Sequence, residues 1–144
     1  MTEWTASWQF FAILAAVFAA LTAIFAKIGV DNVNSDFATF FRTCVVMVVL
    51  GVILIATRQM QSPLTIAPRS LVFLVLSGLA TGASWLCYFR ALKLGNASQV
   101  APVDKLSVVL VALFGVLFLG EHLSPQAWIG VGLVGAGAVI MALG

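Results

Sequence analysis

Charged side chains are scarce in this 144-residue chain: Lys and Arg number 7, Asp and Glu 5, together 8% of the residues. An ordinary soluble domain is about 25% charged and about 45–50% apolar. Here 62% of the residues are hydrophobic and the mean hydropathy is +1.15. A soluble fold of this length has too little interior to hide that much apolar surface, so the solvent for most of the chain is lipid. Other shortages exclude further classes. A formal net charge of +2 without any basic run excludes an electrostatic nucleic-acid surface. The single histidine, His122, has Glu121 directly beside it, which is not a metal-ligand spacing. No Ser/His/Asp set, nucleotide loop or cofactor motif is present. The chain reads as a non-enzyme without metal or cofactor. Cys44 and Cys87 both lie inside apolar runs and read as small packing residues, not as a redox pair.

What the chain has in abundance is apolar length. A helix needs about 20 apolar residues to cross the hydrocarbon core, and five stretches qualify, at about 8–28, 36–57, 71–92, 98–119 and 126–143. They predict an all-α integral membrane protein, a bundle of five transmembrane helices filling 1–144 as one membrane domain. The first run is uncharged from Thr5 to Ala26, and Glu3 before it supplies no basic flank, so it reads as a retained helix and not a signal peptide. Its alanines 12, 15, 16, 19, 20, 23 and 26 form a smooth strip for close helix packing.

The connections carry their own signals. Gly29 to Ser35 is a turn, with Ser35 expected to cap the second helix and Asp36 in its first turn. Arg58 to Ser70 is the longest connection, kept from full helicity by Pro63 and Pro68. Gly78 and Gly82 form a GxxxG pair, a signal for close crossing. Lys93 to Asn96 closes a tight hairpin, Ser98 is expected to cap the fourth helix, and Pro102 to bend it next to Asp104. Ser124-Pro125 is a start signal for the fifth helix. Glycines 130, 132, 135 and 137 of that helix predict a packed interface with another chain. The last residue still lies in the span, so no further domain is expected.

A charge at the bilayer centre costs roughly 2.5–3.5 kcal/mol on insertion scales, so the embedded charges invite a functional reading. They are Arg42, Arg90, Asp104 and Lys105. Arg42, about two turns inside its helix, either snorkels to the interface or faces inward and holds an anion or carboxylate. Arg90 is the nearest candidate partner for Asp104 in sequence. Neighbours on a helix point about 100° apart, so one of Asp104 and Lys105 is expected to turn inward while the other reaches the interface. Tyr88 suits the interfacial belt; Trp85 lies deeper, as a packing residue or a cavity wall. Five crossings put Glu3, Arg58, Arg69, Glu121 and His122 on one side, and Lys27, Asp31, Asp36, Lys93 and the embedded charges on the other. This is a half-site approached from one face of the membrane. Without the embedded residues, Arg58 and Arg69 balance Lys27 and Lys93, which would allow insertion both ways and an antiparallel dimer. Counting Arg42, Arg90 and Lys105 favours an exterior N-terminus.

The run from Ala91 to Leu143 carries Ala91-Leu92, a VAP at 100–102, an LGE at 119–121 and Trp128-Ile129-Gly130 leading into a glycine-rich last helix. In these features, and in Arg42 early in the second helix, the chain resembles an EamA domain of the drug/metabolite transporter superfamily. Most members hold two such domains in inverted repeat, so one domain implies a half-transporter repeat completed by a second copy or a paralogous subunit. More distantly the chain resembles the small multidrug resistance proteins. In the matching stretch Ala12–Val17, Ala16 stands where their membrane glutamate would be, leaving Asp104 as the carboxylate deep enough to replace it.

The resemblance implies a secondary transporter of the cell membrane, bacterial or archaeal inner membrane, exporting a small polar metabolite or drug-like compound. Its substrate or proton pathway would use Asp104, Lys105, Arg90, Arg42, Trp85 and Tyr88. Gly78, Gly82, Gly130, Gly132 and Gly137 would pack helices or the dimer. Two alternatives stand beside it: a lipid-linked carrier flippase subunit, and a structural or regulatory membrane subunit without cargo.

Overall fold

The computed structural model describes residues 7–144; Glu3 and the beginning of the first uncharged run, Thr5 and Ala6, lie outside them. The chain is helical: α1 Trp8–Val30, α2 Ser35–Ala56, α3 Pro68–Leu94, α4 Ala97–Asp104, α5 Leu106–Leu119 and α6 Pro125–Leu143, with a 3-10 turn at Pro63–Thr65. Five stretches are long and apolar enough to span a bilayer: α1, α2, α3, the tandem α4–α5 (Ala97–Leu119) and α6. Large apolar side chains such as Phe18, Val48, Phe73, Phe118 and Ile140 lie exposed along all of them. In water such a surface would drive aggregation; in lipid it is matched to its solvent. The protein is an all-α, multi-pass membrane protein.

Helix ends follow local side-chain chemistry, with instructive shifts. The α2 cap is Asn34 and not Ser35: its side-chain oxygen accepts from the Asp36 and Phe37 backbone N–H groups at 2.9 and 3.1 Å. Asn34→Ala is therefore expected to lower stability by about 0.5–2 kcal/mol, read by thermal unfolding of the purified protein in detergent. Pro68 opens α3 instead of interrupting the connection, because a proline in the first turn gives up an N–H that has no helical partner. Ser124 caps α6 as its sequence predicts, accepting from the Ala127 N–H at 3.2 Å, with Pro125 first in the helix. Ser98 is not a cap: α4 starts one residue before it, at Ala97, after Asn96.

The fold divides into two units, one comprising α1 as far as Ile28 with Leu94–Gly144, the other Gly29–Lys93. In the first, α6 packs along both α4 and α5. Gly135 permits this: a Cβ there would meet Val109 Cγ2 of α5 at 3.2 Å. The Lys27 ammonium donates to the Gly95 carbonyl at 2.9 Å, tying the end of α1 to the start of the α4 segment. The α5 helix stops at Gly120, whose φ of 68° is the left-handed conformation glycine adopts without strain. The Glu121 N–H then bonds back to the Gly115 carbonyl, and its carboxylate occupies the place of the missing Gly115 side chain. In the second unit α2 and α3 run antiparallel, and their charged residues form the site described next.

Candidate functional site: charges within the spans

Three contacts fix the register of α2 against α3. Outermost, the Lys93 ammonium donates to the Val33 carbonyl at 2.6 Å. Three residues further along each chain, Arg90 grips Asp36 with two parallel bonds, Nε to Oδ1 at 2.9 Å and a terminal nitrogen to Oδ2 at 2.7 Å. About two turns deeper, the Arg42 guanidinium lies over the Trp85 ring, 3.7 Å from its centroid, with the Phe89 ring at 5.7 Å. Between the last two levels falls Thr39, buried, its hydroxyl donating to the Ser35 carbonyl at 2.9 Å. Advancing up α2 by three residues thus means descending α3 by about three, as antiparallel helices of equal pitch require.

The partner of Arg90 is therefore Asp36, 54 residues away, and not Asp104. Sequence reading placed Asp36 only as a favourable first-turn acid and missed this pairing; the one signal was a carboxylate at the start of a span that follows a short turn. The Asp36–Arg90 bridge is bidentate, a geometry stronger and more orienting than a single contact. It remains solvent-facing, with side-chain exposures of 46% and 60%, so its role is to set register more than to add stability. Arg90→Asp alone should lower the thermal midpoint in detergent, and Asp36→Arg combined with Arg90→Asp should recover most of the loss. A double variant no better than the single one would remove the bridge from the fold.

Lys105 Nζ lies 3.2 Å from Asp104 Oδ2, a pair between direct neighbours that the long lysine stem closes. The Asp104 side chain is 36% and that of Lys105 55% exposed. The turn that carries the pair is itself tightened. Pro102 lies inside the fourth span and lacks an N–H, and three residues on the helix is interrupted: Lys105 ends α4 and precedes α5. Its own N–H is shared between the Ala101 and Pro102 carbonyls at 3.3 and 3.0 Å, a tightened turn. The expected bend is thus a break at the charged dipeptide, about 10 Å along the span from Ala97.

Arg42 is different in kind. A guanidinium stacked on an aromatic face gains about 0.5–2 kcal/mol, while a cation inserted at the bilayer centre costs roughly 2.5–3.5 kcal/mol. The ring alone does not compensate the charge. Among the described residues no carboxylate or hydrogen-bond acceptor contacts its N–H groups; Tyr88, one turn along α3 from Trp85, interacts with it electrostatically. Trp85 is thus the platform for a cation. The glycines of the sequence pattern behave less uniformly. At Gly78, Gly82, Gly130, Gly132 and Gly137 an added Cβ would meet no atom of the described residues within 4 Å. Gly115 and Gly135 are the glycines that neighbours occupy.

Comparison with known proteins finds relatives named as transporters. A Sinorhizobium protein named as an uncharacterized transporter in the cobO 3′ region is 61% identical over 137 residues, covering 95% of this chain and 97% of that protein. The uncharacterized transporter YwfM of Bacillus subtilis is 30% identical over 84 residues, 58% of this chain and 28% of that protein. A probable 4-amino-4-deoxy-L-arabinose-phosphoundecaprenol flippase subunit, ArnE, of Hamiltonella defensa is 28% identical over 76 residues, 53% of this chain and 68% of that protein. No solved structure matches significantly. The family model of the EamA-like transporters matches residues 6–143, nearly the whole chain. With its five apolar spans and the charges they carry, this chain belongs to the EamA-like transporter family.

Proposed function

We propose that the chain is one half of a secondary transporter of the bacterial inner membrane, exporting a small polar metabolite and completed by a second copy or a paralogous subunit. The observation that carries this reading is the Asp104–Lys105 pair at the break in the fourth span. Transporters place substrate and coupling-ion sites at interrupted helices, where backbone and charged groups line a polar cavity within the membrane. A carboxylate held by its neighbouring lysine can exchange that lysine for a proton or for a cationic group on the cargo, which is the elementary act of coupling. The open glycines of α6 support the two-copy arrangement, since Gly130 and Gly137, two turns apart on one face, leave room for a second backbone. The test is reconstitution: vesicles holding the purified protein and an entrapped pH dye, challenged with a metabolite panel, should show cargo-dependent proton movement that empty vesicles lack. No response to any cargo would remove proton coupling.

A second reading, a subunit of a lipid-linked carrier flippase, draws on the similarity to the relative named as such a subunit. Basic residues near a membrane interface suit a phosphate head group. Saturable binding of anionic lipid that requires Arg42 would favour this reading over export of a soluble metabolite.

A further inference from the structure

We propose that the free edge of the Arg42 guanidinium, held flat against Trp85, is the binding point for an oxyanion on the transported molecule. The inference deepens the transport reading by naming a chemical class for the cargo, and it rests on four observations. First, stacking on Trp85 at 3.7 Å occupies the face of the guanidinium and fixes its plane. The N–H groups point out of the rim of that plane, where a carboxylate or phosphate can accept two at once. Second, among the described residues no acceptor takes those N–H groups. Third, the charged residues of α2 and α3 nearest in register to Arg42 are committed: both Asp36 oxygens are held by Arg90, and Lys93 binds the Val33 carbonyl. The anion that neutralises Arg42 is therefore not Asp36. Fourth, Arg42 follows the start of α2 by seven residues, about 10 Å along the helix. Electrostatic attraction there is stronger than in water.

Tryptophan fluorescence reads this site directly. With Trp4, Trp8 and Trp128 each replaced by Phe, Trp85 is the single reporter. The protein in nanodiscs of neutral phosphatidylcholine is titrated with inorganic phosphate or acetate against chloride at equal ionic strength. A saturable change in Trp85 emission with an oxyanion but not with chloride is expected. Arg42→Gln should abolish it, and Arg42→Lys, which keeps the charge but loses the planar fork, should weaken it by about tenfold or more. Arg58→Gln, outside the spans, should leave it unchanged. The lysine variant preserves the test if the glutamine variant does not fold. In nanodiscs containing phosphatidylglycerol, a response that appears with the lipid and not with soluble anions would assign the oxyanion to a lipid head group. Absence of any saturable, Arg42-dependent response in both kinds of nanodisc overturns the proposal. Because binding is measured without a gradient, that failure is distinct from a failure of proton-coupled transport.

Discussion

Asp104→Asn should reduce cargo-dependent proton movement in reconstituted vesicles to the level of empty ones while leaving expression and span number intact. Asparagine keeps the shape of the side chain and its place beside Lys105 but can neither lose nor regain a proton, nor balance the ammonium. Lys105→Gln removes the other half and leaves the carboxylate uncompensated at the break in the span, so it too should lose transport, with a lower thermal midpoint. The decisive comparison exchanges the two, Asp104→Lys with Lys105→Asp. Such a protein retains a neighbouring ion pair two and three residues beyond Pro102 and should regain stability. Its carboxylate, however, sits about 100° around the helix axis from the original, so transport should not return. If the exchange restores both, the pair is a structural cluster and the cargo site lies elsewhere. Unchanged transport in Asp104→Asn would have the same meaning.

The second large effect concerns α6, where two glycines two residues apart should respond in opposite ways. Gly135→Leu drives a side chain into Val109, already 3.2 Å from where its Cβ would stand. It should destabilise the isolated chain by about 1–3 kcal/mol, the range for overpacking a filled contact. At Gly137 an added Cβ would meet no described atom within 4 Å, so Gly137→Leu should leave the thermal midpoint of the monomer unchanged. If a second backbone approaches that face, the same change abolishes the dimer. Gly130→Cys and Gly137→Cys, on a background with Cys44 and Cys87 replaced by Ser, should then form crosslinked dimers in native membranes. Crosslinks absent from a well-folded chain, together with a neutral Gly137→Leu, would exclude α6 as the surface where two copies meet.

The spans were legible in the sequence because lipid imposes one requirement, apolar length, that composition states directly. Ser124-Pro125 marked the start of α6 for a similarly local reason: a cap and a first-turn proline act within four residues. At α2 the same logic erred by one position, since Asn34 and Ser35 are both good caps and only backbone geometry chooses between them. Charged residues in the spans were likewise visible, but their partners were not. The pairing of Arg90 with Asp36 depends on the register of α2 against α3, which no local pattern encodes. The contact of Asp104 with Lys105 was not legible either, because it depends on which way a long, flexible lysine stem folds. Arg42 and Trp85 each carried a signal of their own; what the sequence withheld was that they stack on one another. The GxxxG pair at Gly78 and Gly82 marks a place where approach is possible, and a local pattern does not name what approaches.

Among the described residues the buried ones are mostly small: Ala23, Ala26, Thr39, Ala112, Gly115 and Ala138, with Val30, Phe89 and Leu92 the larger exceptions. Interlocked large side chains resist shear because each must leave its socket before a helix can move. Smooth alanine and glycine surfaces have few sockets, so helices that meet through them are expected to slide along their axes more easily than interlocked ones. In mechanical terms the spans are bearings more than gears. A carrier that must present one site alternately to two sides of a membrane is served by that slackness. Filling these positions with larger side chains would stiffen the protein before it altered any charge.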